Sequence, residues 1–161
     1  MVDPTEEQRW ITVDGRRWRA TDPSIPATLR SELVGELMAA RRAVAAAKGD
    51  AEAIAAARAR VQQAKVALGE RGEPWWEPTD AGVRTRIEAA ILTLATRRSP
   101  KSTCPSDAAR AVGGDGWRTL MATAREGAAE LAAAGRIRIT QRGLPVAADQ
   151  PGPIRLSLAD E

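Results

Sequence analysis

The sequence contains no histidine, no tyrosine, no phenylalanine and a single cysteine. Without His there can be no His-based zinc site, no Ser-His-Asp triad and no Cys-His pair. One Cys allows no intrachain disulfide. No apolar run approaches the roughly 18 residues that a membrane helix needs. The opening MVDPTEEQRW is acidic and polar, unlike a secretory signal. These absences point to a cytoplasmic protein without membrane, metal or cofactor, and to a binding protein rather than an enzyme.

Lysine is also scarce. Of 24 cationic side chains only Lys48, Lys65 and Lys101 are Lys; the rest are Arg, whose planar fork suits phosphates and carboxylates. An Arg- and Ala-rich chain lacking Phe and Tyr also carries the mark of a GC-rich coding bias. The 161 residues are 43% hydrophobic and 28% charged, a globular composition with room for one ordinary domain or two very small ones. Net charge is +3, distributed unevenly. Residues 1–81 hold 12 basic and 13 acidic side chains, and residues 82–161 hold 12 and 8.

Trp10–Val13 and Arg16–Ala20 flank Asp14-Gly15, the dipeptide favoured where both turn positions need positive φ, and predict a β-hairpin. A two-residue turn pairs Val13 with Arg16 and Ile11 with Trp18. Ile11, Val13, Trp18 and Ala20 then share an apolar face, expected to cover the helices that follow. Leu29, Leu33, Leu37, Ala40, Val44 and Ala47 recur at helical spacing, as do Ile54, Ala57, Val61, Ala64 and Leu68. Between them Gly49 stops one helix and Asp50 caps the next, so the two are expected to lie antiparallel. Their Ala-rich seam buries little area, and Trp18 with Trp75-Trp76 is expected to supply much of the rest. Val34 and Met38 either pack under the β-hairpin or serve self-association.

Glu73–Pro78, with Pro near both ends, reads as a linker over 73–81 between a first unit (1–72) and a second (82–161). Val83, Ile87, Ala90, Ile91 and Leu94 mark a helix. A short helix follows over Asp107–Val112, stopped by Gly113-Gly114. Asp115 is the expected cap of a third helix carrying Trp117, Leu120, Met121, Ala124, Ala128 and Leu131 inward. Ile137 and Ile139 alternate with Arg136, Arg138 and Thr140 as a strand; 141–153 is a loop, and Ile154, Leu156 and Leu158 mark a returning strand. The order helix–helix–helix–strand–strand is that of a winged helix-turn-helix. The fold class is therefore mainly α with small β (α+β).

Three stretches, Thr103–Val112, Gly116–Met121 and Gly152–Leu156, resemble the bacterial family catalogued as domain of unknown function 3253. The resemblance spans about residues 83–158 and implies a small winged-helix-like domain with no established activity, hence no catalytic residues to carry over. Asp14–Pro23 is similar to an uncharacterised N-terminal extension on some members.

Two binding readings stand side by side. In a winged helix the third helix and the wing meet DNA. The candidates there are Arg118, Thr119 and Arg125 on the helix, Arg136 and Arg138 on the strand, Arg142 near the wing tip and Arg155 on the returning strand. Against this, Glu126 and Glu130 share the outer side of the same helix, and Arg on a hairpin is often simply solvated. The alternative is a protein–protein or structural module, joining another protein or a second copy through the helical hairpin. Cys104, just before a helix, is the one nucleophile of note, but no His can serve as its base and a packing role is plainer. Asp107 and Asp115 read as helix-start residues, and Gly-Gly-Asp-Gly-Trp lacks a phosphate-loop Lys.

Overall fold

The computed structural model describes residues 3–160, so the outermost positions of the expected units 1–72 and 82–161 lie outside the described residues. A four-residue helix, α1 (Glu6–Arg9), precedes the hairpin and was not expected. Its signal is nevertheless in the chain: Thr5 and Gln8 form a capping box, the Thr-x-x-Gln spacing in which each side chain bonds the other's backbone. Strands β1 (Trp10–Val13) and β2 (Arg16–Arg19) then pair in the predicted register, Ile11 with Trp18 and Val13 with Arg16. Asp14 and Gly15 have φ of 52° and 75°, the double left-handed turn that this dipeptide favours.

The hairpin is docked the other way round from the expectation. Ile11, Val13 and Trp18 remain 49%, 50% and 40% exposed. On the opposite side only the Trp10–Arg19 end packs; Thr12 and Arg17 are exposed. Trp10 meets Trp76 edge-to-face at 5.7 Å, and Arg19 donates to the Gly72 carbonyl at 2.8 Å. Linker residues decide this: Trp76 offers an aromatic edge to Trp10 and a face to the Arg9 and Arg19 guanidiniums, and Trp75 donates its indole N–H to the Ala20 carbonyl. Trp18 touches the helical hairpin through Lys65 in its second helix, whose ammonium lies 5.4 Å from the ring centroid, and is not buried in the Ala-rich seam. Met38 stays exposed, and Val34 packs against the main core rather than under the β-hairpin.

Helices α2 (Ala27–Ala46) and α3 (Ala51–Ala67) form as the periodicity predicts. Gly49 takes φ 80° and the Asp50 carboxylate accepts from the Ala53 amide at 3.0 Å, closing the tight connection. Buried Glu36 pairs with Arg60 across the two helices at 2.7 Å. Next comes α4 (Asp80–Arg98), capped by the Thr79 hydroxyl. From Ile87 to Ala95 it is buried almost all round, Glu88 apart, more than the single predicted face. A helix covered on every side is the centre of a core. The pair α2–α3 covers one side of α4, and α5, α6 and the C-terminal sheet cover the other. One apolar cluster consequently runs from Ile25 to Leu156, and the core does not divide at 73–81.

Polar staples reinforce that continuity. Arg98 at the end of α4 binds Glu32 of α2 at 2.7 Å and Asp107 at 2.6 Å. Arg86 is buried, pairs with buried Asp22 at 2.8 Å and donates to the carbonyls of Ala67 and Ala111. A buried pair of this kind is tolerable because its remaining polar atoms are also bonded; the Asp22 carboxylate accepts from Ser24 as well.

After α4, the chain forms α5 (Pro105–Gly113), a 3-10 segment (Gly114–Leu120) and α6 (Met121–Ala133). The short helix is longer than the predicted Asp107–Val112, and the third helix starts later than predicted. Asp115 does not cap it; it lies exposed in the 3-10 segment, and α6 begins after Leu120 without a side-chain cap. The tighter winding brings Leu120 and Trp117 back over Gly113. A Cβ on Gly113 would come within 2.8 Å of Leu120, so the glycine makes room for the fold-back. Strands β3 (Ile137–Gln141), β4 (Leu144–Pro145) and β5 (Arg155–Leu158) close the chain in the order β4-β3-β5. Thr103, just before α5, adds a bridge to Leu156 on the other side of β5. The protein is thus α+β, with two small antiparallel sheets.

Candidate nucleic-acid interface

The corner where α5 turns into α6 concentrates cations on an aromatic ring. Trp117 is half-buried against the core, with the Arg110 guanidinium 4.5 Å and the Arg118 guanidinium 4.6 Å from its ring centroid. Arg110 and Arg118 are both exposed, and neither forms an ion pair among the described residues. Cation–π attraction of about 0.5–1 kcal/mol at exposed sites holds each of them on the indole. Thr119 is exposed beside them, its hydroxyl donating to the Gly116 carbonyl at 2.9 Å.

The body of α6 is different. Its exposed side carries Ala122, Glu126, Ala129, Glu130 and Ala133. Glu126 and Glu130 are held by Arg84 of α4 at 3.2 and 2.7 Å. Arg84 also faces Glu88 at 3.6 Å. Burial and the neighbouring Glu130 carboxylate push the Glu88 carboxyl above its ordinary range, with Arg84 opposing.

Arg125 turns inward to the loop after β4. It donates to the carbonyls of Ala148, Gln150 and Gly152 at 2.8, 3.0 and 2.7 Å, which fixes the loop between β4 and β5 to α6. Gln141 adds bonds from β3 to the carbonyls of Pro151 and Pro153. On the C-terminal sheet Arg136 is exposed, Arg138 is paired with Asp160 at 2.6 Å, and Arg155 is tied to the Ser102 hydroxyl and carbonyl. Arg142 stands at the turn between β3 and β4 with φ 52°, followed by Gly143 at 81°. Of the seven predicted residues, then, Arg118, Thr119, Arg136 and Arg142 present free side-chain surface, and Arg125, Arg138 and Arg155 are bonded within the chain.

This whole arrangement falls in one stretch of sequence. Residues 84–159 match the model of a family described as Protein of unknown function (DUF3253). No curated protein matches the chain. The DUF3253 region runs from α4 through β5, and the β-hairpin, α2 and α3 lie outside it. Within it, sequence reasoning missed Arg110, which a helical projection places seven residues from Trp117 but which only the 3-10 fold-back sets on the ring. Asp107 of the same region serves the scaffold. Burial alone would raise its carboxyl, but hydrogen bonds from Arg98, Cys104 and Thr103 hold it below the ordinary carboxylate range. Arg98 is correspondingly held charged by its bonds to Glu32 and Asp107 against the cost of burial. Cys104 is half-buried at the start of α5, its thiol 3.0 Å from the Ser106 hydroxyl.

A groove of about 1030 Å³ lies between the linker and the 3-10 segment, walled by Trp75, Trp76, Val83 and Leu120. Its polar floor is the Arg86–Asp22 pair, whose bonds are already made within the chain.

Proposed function

We propose that the DUF3253 region is a winged-helix module that binds nucleic acid through the phosphate backbone. Its topology supports the assignment: three helices, a bridging residue before the second of them (Thr103), and a β3–β5 ribbon packed on the third. The observation that carries the proposal is the pair of unpaired guanidiniums, Arg110 and Arg118, gathered on Trp117 at the entrance to α6. Two guanidiniums without an acid partner, each held on the indole, are available to phosphate oxygens. Arg142 at the wing tip supplies a second point of contact, while Arg136 lies at the other end of β3. Arg125 acts by positioning the wing. The exposed side of α6 carries Ala and Glu and no cation, so the helix body is unsuited to reading base edges, and binding should depend little on sequence.

The test is a titration of a fluorescent duplex at about 50 and about 200 mM salt, where each neutralised phosphate contributes a slope of about −0.9 in log K against log salt. Three or four contacts are expected. Replacing Arg110 and Arg118 together by Ala should lower affinity about tenfold or more and flatten the slope by about two. Absence of salt-dependent binding up to tens of micromolar protein would falsify the proposal.

A further inference from the structure

Ile11, Val13 and Trp18 form a contiguous apolar face on the N-terminal hairpin, with Ile11 directly across from Trp18 in the pairing. The hairpin is held from its other side, through Trp10 on Trp76 and Arg19 on the linker carbonyls. Thr12 and Arg17 on that side are exposed too, so docking is confined to the Trp10–Arg19 end of the ribbon. Ile11 and Val13 are left about half in water, and a cluster of exposed apolar side chains on a sheet face is of the sort found at binding surfaces.

Charge narrows the choice of occupant. The Arg16 guanidinium lies 4.9 Å from the Trp18 ring centroid and the Lys65 ammonium of α3 lies 5.4 Å from it. Burial lowers the proton affinity of Lys65, and the nearby Arg71 and Arg41 lower it further against the opposing pull of Glu70. Its charged form therefore gains from an incoming carboxylate. A second copy docked face to face would set Arg16 and Lys65 against their own kind. Phosphates would satisfy the cations but leave Ile11 and Val13 uncovered. We infer that this face docks a partner protein through an amphipathic acidic segment. Apolar side chains of that segment cover Ile11, Val13 and Trp18, and its flanking carboxylates meet Arg16 and Lys65. Trp and Arg at the centre of such a patch are the residue types that dominate interface energies. The inference stands apart from the nucleic-acid proposal, since it uses no residue of the DUF3253 region.

The experiment is a selection of random linear peptides displayed on phage against the full chain, with counter-selection against Trp18→Ser. Peptides that interleave Asp or Glu with apolar residues are expected. A synthetic peptide of their consensus should lose about tenfold or more in affinity to Trp18→Ser and to Lys65→Glu. Exchanging its own acids for Lys should restore binding to Lys65→Glu. The Lys65 variant leaves the hairpin untouched, and circular dichroism of both variants checks the fold. Four outcomes overturn the inference: no peptide prefers the unaltered chain to Trp18→Ser; the enriched peptides are basic or uncharged; sedimentation reveals a dimer that Trp18→Ser abolishes; or Trp18→Ser weakens oligonucleotide binding as much as the joint loss of Arg110 and Arg118 does.

Discussion

The N-terminal hairpin and the C-terminal sheet are the same device used in opposite senses. Both turn on a residue–glycine pair in the left-handed region, Asp14-Gly15 in one and Arg142-Gly143 in the other, and both alternate apolar with cationic side chains. In the C-terminal sheet the apolar side faces in: Ile137, Ile139 and Leu156 are buried while Arg136, Arg138 and Arg155 are exposed. In the hairpin Ile11, Val13 and Trp18 face out, and the Trp10–Arg19 side is docked. Alternation divides a ribbon into two faces. Which of them goes inside depends on what stands opposite: apolar α4 and α6 under the C-terminal sheet, and an indole with open carbonyls under the hairpin.

The sharpest way to break this comparison is to remove one apolar side chain from each ribbon. Leu156→Ala should cost about 2–5 kcal/mol, the range for emptying a packed Leu site. Ile11→Ser should stay within about 0.5 kcal/mol, as an exposed substitution does. Urea denaturation followed by circular dichroism measures both; similar costs would mean that the two ribbons are buried alike. A smaller effect is expected from Arg125→Ala, which strips the loop between β4 and β5 of its side-chain anchor on α6. About 1.5–3 kcal/mol should be lost, the scale for hydrogen bonds to a charged group. Hydrogen exchange should quicken over 141–153 and stay unchanged in β1 and β2. The smallest change is Arg142→Asn, because Asn tolerates the left-handed conformation better than most residues do. Stability should move by less than about 0.5 kcal/mol, while the salt dependence of duplex binding should flatten by about one charge.

What could be read in advance was local. Asp14-Gly15 announces its turn, Gly49 and Asp50 mark the break between α2 and α3, and Ile137 with Ile139 marks a strand, because each signal spans only a few residues. The Thr5–Gln8 capping box was equally local and simply went unread. Other features join distant residues. Glu32 and Arg98 stand 66 positions apart and Arg84 reaches Glu126 over 42, so no periodicity reports them. The candidate site divides the same way. Arg118 and Arg142 stood out as cations on predicted outer surfaces, but Arg110 needed the fold-back of Trp117, and nothing near Arg125 in sequence tells that it is bound to the loop at 148–152.

The chain alone therefore settled the order of its long helices and main strands, the register of its first hairpin, and an inventory without His that leaves no His-based zinc site or Ser-His-Asp triad. Those properties follow from short-range sterics, from backbone hydrogen bonding and from which side chains exist at all. Tertiary structure decided the single core around α4, the outward turn of Ile11, Val13 and Trp18, and which guanidiniums are engaged and which stand free. Burial and ion pairing are relations between surfaces, and a surface acquires its partner only when the chain has closed on itself.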